Sequence, residues 1–208
     1  MRVFVLSTGR CGSLTFTRAC THISNYTASH ESLSDRLGSD RFKYPDNHIE
    51  SDNRLSWQLG QLDNIYGDNA FYVHLKRGKV QVARSVMARF FTPYSIIDTF
   101  CGSIRMNPPE KMSKAQRLQA CYDYIDTVNA NIELFLSSKS KKMTIEIEQA
   151  KEGFPVFWKA IEGVGDIDAA LAEFDQKYNT SQENLSRKMN PLWDIKLTLL
   201  RIWKRANT

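Results

Sequence analysis

The chain has 208 residues, of which 42% are apolar and 25% charged, and a formal net charge of +5. That length suits one large domain able to bury about 70% of its unfolded surface, and no stretch reaches the about 20 apolar residues of a membrane-spanning helix. A single soluble domain over 1–208 is expected, with no integral membrane segment; the positive excess favours an anionic ligand but is modest for a nucleic-acid binder, so no nucleic acid is expected as partner.

Residues 2–6 (RVFVL) read as a short, fully buried strand, and the segment from Ser13 to about His22 as the helix that follows it. The apolar run is too short for a signal-peptide core and runs straight into a glycine turn, so the expected location is cytoplasmic. Cys11, Cys20, Cys101 and Cys121 show neither paired CxxC spacing nor the density of a disulfide scaffold, which fits reduced thiols. A weak second strand is expected over 25–29, then a polar stretch from Glu31 to Asn53 whose lack of periodicity suits an active-site loop or lid. Leu55, Leu59 and Leu62 fall at helical spacing, giving a helix that ends near Gly67, and FYVHL at 71–75 is a second buried strand.

Residues 80–90 predict a helix with Val82, Val86, Phe90 and Phe91 inward, closed by Pro93. After an irregular stretch through Pro108 and Pro109, residues 113–136 carry a long amphipathic helix and MTIEI at 143–147 a further strand. Asp166 is placed to cap a helix through Ala169, Leu171 and Phe174, and Pro191 to start a last helix to the C-terminus. That tail is basic and amphipathic, a pattern that usually packs on its own sheet. Strands alternating with helices predict an α/β fold, a three-layer α/β/α arrangement around a central parallel sheet.

Ligands of such sheets bind outside the carboxyl ends of the strands, where STGRCGSLTF (7–16) lies. Gly9 and Gly12 permit tight backbone angles, the helix start offers its amides, Ser13 adds a hydroxyl, and Arg10 adds a bidentate cation for phosphate or sulfate oxygens. A nucleoside-triphosphatase loop needs a lysine after its last glycine, which is missing here, and the dinucleotide pattern G-x-G-x-x-G is absent. A cysteine phosphatase built on Cys11 would need arginine at position 17, but Arg18 falls one residue late.

TGRCGSLTF resembles the 5′-phosphosulfate loop of sulfotransferases that use 3′-phosphoadenosine 5′-phosphosulfate (PAPS). The family's second signature is a strand ending in arginine, followed eight residues on by a helical serine; Arg77 and Ser85 stand in that relation. The resemblance spans most of the chain, with its specific motifs over about 3–31 and 71–90, and it implies a nucleotide-binding fold like that of the P-loop nucleoside triphosphate hydrolases. It departs from the family in having Arg10 where many members have lysine and Gly78-Lys79 where Asp-Pro is common, and the late glycine- and lysine-rich nucleotide loop is not visible.

The implied activity is sulfuryl transfer from PAPS to an acceptor hydroxyl, leaving 3′,5′-adenosine bisphosphate (PAP), with no metal. Gly9, Arg10, Cys11, Gly12, Ser13, Leu14 and Thr15 would hold the 5′ end, while Arg77 and Ser85 grip the 3′-phosphate. Arg10 would also offset charge developing during transfer. The family places the base near the end of the second strand, here Ser29-His30-Glu31, with Glu31 favoured and His30 a close second. The acceptor class implied is a small molecule or carbohydrate. The alternatives are a nucleotide-dependent kinase of similar architecture and a non-catalytic phosphonucleotide-binding module. His74, inside a strand, reads as a core residue, and Lys76, Lys79, Arg84 and Arg89 as a solvated helix face.

Overall fold

The computed structural model of the chain describes residues 1–92 and 94–176. Strand β1 (Arg2–Leu6) is buried at every position after Arg2, as expected of an unbroken apolar run covered on both faces. Gly12, in the left-handed conformation, precedes α1 (Ser13–Cys20), which turns Phe16, Ala19 and Cys20 inward. β2 (Thr27–His30) is the weak strand, displaced slightly along the chain.

The expectation for 31–53 needs correction. It holds β3 (His48–Ser51), all four of whose residues are buried. Its polar composition HIES hides it from any hydrophobic pattern, and its burial depends on partners supplied by the preceding residues. Asp52 then accepts from the Arg54 amide at 2.8 Å and caps a short turn over Asn53–Trp57, so the single helix expected from Leu55 begins later, as α2 (Leu59–Tyr66).

β4 (Ala70–Lys76) is followed at once by α3 (Lys79–Met87), which stops short of the two phenylalanines. Phe90 is buried, but Phe91 is 62% exposed. The inward placement expected for Phe91 is thus corrected: it lies beyond the helix, edge-on to Phe90 and beneath the Arg117 guanidinium. A short α4 (Ile96–Thr99) precedes α5 (Lys114–Ser137), whose start is fixed by a reciprocal capping box between Ser113 and Gln116.

β5 (Lys142–Glu146) leads into α6 (Ala150–Ala160), a helix beyond the expected elements that contains Gly153 and Pro155, both of which disfavour helix. Burial overrides propensity there, since Phe154 and Phe157 pack against Phe16, and Phe157 also meets Phe71. α7 (Ile167–Ala172) starts at Asp166, whose side chain accepts from the Ala169 amide as expected. The helix expected from Pro191, and Pro93 as a helix stop, lie outside the described residues; these belong to one compact unit, Met1–Tyr178.

The five strands form one all-parallel sheet in the order β2-β3-β1-β4-β5. Alternate residues of β4 separate its two faces. Phe71 meets α6 through Phe157, whereas Tyr72 meets α5 through Phe135 and packs with Phe4 of β1, which in turn meets Tyr66 of α2. Helices therefore cover both faces, the three-layer α/β/α arrangement. From β1 the chain moves to one side of the sheet through α1, and from β4 to the other through α3 and α5. The loops after β1 and β4 thus flank the switch point, the position where open parallel sheets form their ligand crevice.

Candidate functional site

The turn after β1 carries three left-handed residues, Gly9 at φ 71°, Arg10 at φ 61° and Gly12 at φ 78°. Glycine is needed at position 12 for a second reason: a Cβ there would come within 2.7 Å of the Ile147 side chain. Buried hydrogen bonds hold the turn from beneath, with Ser56 and Tyr124 hydroxyls donating to the carbonyls of Ser7 and Thr8. Among the described residues no side chain caps α1, which leaves the first amides of the helix, at Ser13, Leu14 and Thr15, for another acceptor.

Arg10 Nε donates to Ser85 Oγ at 2.9 Å, across 75 residues of chain. Arg77 Nη1 donates to the Arg10 carbonyl at 3.3 Å. The structure thus brings together Gly9–Thr15, Arg77 and Ser85 at the switch point. It also joins Arg10 directly to the serine expected to serve the opposite end of the ligand. Arg10 is held below its ordinary pKa by burial first, then by the positive charges of Arg89 and Arg77. Among the described residues, the carboxylate within ion-pair distance of Arg77 is Glu148, 4.0 Å from Nε; its Oε1 also accepts from the Gly78 amide at the start of α3.

Cys11 turns inward. Its thiol is 2% exposed beside Thr8 Oγ1 at 3.0 Å, and burial pushes its pKa up to about 11, so it stays protonated near neutrality. A nucleophilic thiolate is therefore disfavoured, and any contact Cys11 makes with a ligand goes through its amide. All four cysteines are free and buried.

His30 and Glu31 part company. His30 Nε2 lies 3.0 Å from Ser13 Oγ, at the start of α1, whereas Glu31, at φ 55°, pairs with Arg54 Nη1 at 2.8 Å. Beneath Glu31 runs a buried network invisible to motif reading. Glu50 Oε1 and Oε2 accept from the Ser32 amide at 2.9 Å and hydroxyl at 2.5 Å, and Oε2 lies 3.2 Å from His48 Nε2. Burial acts to raise the Glu50 pKa, but the hydrogen bonds from His48 and Ser32 outweigh it and hold the carboxyl below its ordinary value. Asp52 and Arg41, both buried, pair at 2.6 Å. The only sequence signal for this network is the alternation of His48, Glu50 and Asp52, which period-two reasoning would put on one face of a strand.

Ser51 Oγ at the end of β3, Trp57 Nε1 and Gln58 Oε1 are buried with no hydrogen-bond partner among the described residues. Such atoms commonly face a ligand or solvent. Gln58 also lines a cleft of about 520 Å³ with Arg36, Leu37, Arg41, Gln61 and Ile65. None of 7–15, Arg77 or Ser85 lines that cleft, so it borders the 31–58 segment and not the glycine turn. His74 behaves as a core residue, 1% exposed and bonded through Nε2 to Asn129 Oδ1 at 3.1 Å.

Among the described residues no cluster of metal-ligating side chains occurs, and no helix is long and apolar enough to cross a membrane. Comparison of the chain with family models, characterised proteins and solved structures finds no match.

Proposed function

We propose that this protein is a PAPS-dependent sulfotransferase of P-loop-like architecture acting on a hydroxyl acceptor. The observation that carries the reading is the Arg10–Ser85 hydrogen bond. Two segments that separately resemble the family's phosphate grips meet at the switch point of a parallel sheet. The residues suit a bisphosphorylated nucleotide: two glycines in backbone angles a side chain would strain, uncapped helix amides, and the side chains of Arg10 and Arg77 at the turn. Glu148 beside Arg77 opposes an anion there and moderates the grip.

PAPS, when bound, supplies the activated sulfuryl group, and PAP is what remains. The amides of α1, with Ser13 and Arg10, would hold the 5′ end and balance the charge left on it, as preorganised donors do in phosphoryl transfer. Arg77 and Ser85 would hold the 3′-phosphate, the group that separates PAPS from ATP. Of the two candidate bases, the geometry favours His30: its Nε2 reaches Ser13 at the turn, while the Glu31 carboxylate is engaged by Arg54. His30 Nε2 would accept the acceptor's proton, and Glu31 would keep Arg54 in place. The acceptor would be a small molecule or carbohydrate, as the resemblance implies.

Thermal unfolding with ligands tests the assignment. PAP is expected to raise the melting temperature of the chain and ATP with magnesium to leave it unchanged. The reverse result replaces the sulfotransferase with a kinase. With an acceptor in hand, His30→Ala should lose about 100-fold or more in transfer while keeping PAP binding. If Glu31→Gln alone abolishes transfer, the two residues exchange roles. Binding of PAP with no turnover on any hydroxyl acceptor leaves a phosphonucleotide-binding module.

A further inference from the structure

Among the described residues three buried side-chain atoms lack a hydrogen-bond partner, and all three fall between positions 51 and 58: Ser51 Oγ, Trp57 Nε1 and Gln58 Oε1. Buried polar atoms are seldom left unmet, so their concentration in one short segment points to a ligand there. The segment leaves the carboxyl end of β3 and is fastened to the glycine turn. Ser56 Oγ donates to the Ser7 carbonyl at 3.1 Å, and a Cβ at position 9 would stand 3.1 Å from Asn53 Nδ2. Trp57 stacks on Tyr124 at 6.3 Å between ring centres, and the Tyr124 hydroxyl donates to the Thr8 carbonyl. Gln58 follows Asn53 at about 10 Å, the rise of a 3₁₀ turn of that length, and lines the cleft of about 520 Å³.

The chemistry of the cleft narrows the ligand. Its two cations are already engaged: Arg41 pairs with Asp52 at 2.6 Å, and Arg36 lies 3.8 Å from Asp35. Gln58, Gln61 and Asn64 supply side-chain amides, which donate and accept at once. A hydroxyl does the same, whereas a phosphate, sulfate or carboxylate only accepts and would leave Gln58 Oε1 without a donor. The terminal torsion of glutamine is soft, so Oε1 can turn to meet a donor in the cleft. Spacing separates a sugar chain from a peptide. From the cap of α2 onward the amides follow one another every third residue, about 4.5 Å of rise. That is close to the repeat of a pyranose chain and short of the about 6.6 Å between same-side groups of an extended peptide. Leu37 and Ile65, both exposed, border the cleft and suit the C–H faces of sugar rings. We propose that this cleft binds a neutral, hydroxyl-rich oligosaccharide through Gln58, Gln61 and Asn64, and that the sugar beyond Gln58 presents the acceptor hydroxyl at the glycine turn. The acceptor role rests on the sulfotransferase reading above; sugar binding does not.

Heteronuclear NMR and calorimetric titration of the full chain test it. Cellotriose, maltotriose and triacetylchitotriose are the neutral probes, trigalacturonate the anionic one, and a heptapeptide of alanine and serine the peptide. At least one neutral trisaccharide should bind and shift the Gln58 and Gln61 side-chain amide signals. Gln58→Leu should weaken it about fivefold or more, as loss of one hydrogen bond does, and Gln119→Leu, on α5 outside the cleft, should change nothing. Gln61→Leu serves if the Gln58 variant does not fold. Binding of none of these sugars, preference for trigalacturonate or the peptide, or indifference to both glutamines overturns the site. PAP titrated alongside separates the two readings. If PAP binds and no sugar does, the cleft assignment falls and the sulfotransferase stands. If a sugar binds as expected and PAP does not, the cleft stands and the sulfotransferase falls.

Discussion

The two halves of the sheet's carboxyl edge are built on opposite electrostatic plans. On the β1–β4 side, Arg77 and Glu148 form a loose, partly exposed pair at 4.0 Å beside a glycine turn with left-handed backbone angles. On the β2–β3 side, buried charge is matched nearly atom for atom: Arg41 with Asp52, and Glu50 with His48 and Ser32. Breaking a buried pair strands a charge in the interior, whereas a partly exposed pair contributes little.

The strongest test of this contrast is Asp52→Ala, which strands the Arg41 guanidinium in the interior and removes the acceptor for the Arg54 amide. Denaturant unfolding should show a loss of about 3–5 kcal/mol, the cost of breaking one side of a buried ion pair. Arg77→Ala, at the same edge but on the other side, should leave stability within about 0.5 kcal/mol of wild type. Equal losses in the two variants would erase the distinction.

Glu50→Gln should have a smaller effect, about 1–3 kcal/mol, since the amide keeps the shape but loses the charge-assisted bonds from Ser32. The acid limb of stability sharpens it. The Glu50 carboxyl titrates lower in the folded than in the unfolded chain, so its contribution is fully present above the unfolded value near about 4.3. It is lost as pH falls through the folded value. Stability measured against pH should therefore drop less steeply below about pH 4 in Glu50→Gln than in wild type, and parallel curves would deny the network its role.

Glu148→Gln carries the smallest expected effect and the most informative sign. Removing the carboxylate beside Arg77 should tighten PAP binding severalfold, by about 1 kcal/mol or less at such a partly exposed position. Weaker binding would mean that Glu148 orients Arg77 more than it opposes the ligand.

Legibility in the sequence followed the same divide. The β1–β4 side was readable because its strands are apolar runs and its glycine turn and Arg77–Ser85 spacing are local patterns. The β2–β3 side was not, because HIES is polar at three of its four positions and is buried by pairing with Ser32 and Thr27, residues far back in the chain. α6 escaped notice because Gly153 and Pro155 mask a helix that exists through aromatic packing. Phe91 was misplaced because an apolar residue at helical spacing says nothing about where the helix ends.

By itself the amino-acid order determined the alternation of strands and helices, the glycine turn at the start of α1, and the two segments able to grip an anion. These depend on backbone angles and periodicities set within a few residues. Only the tertiary structure decided that Arg10 meets Ser85, and that His30 meets Ser13 at the turn while Glu31 pairs with Arg54. A charge becomes structural or functional according to whether folding brings it a partner, and that partner can lie 75 residues away.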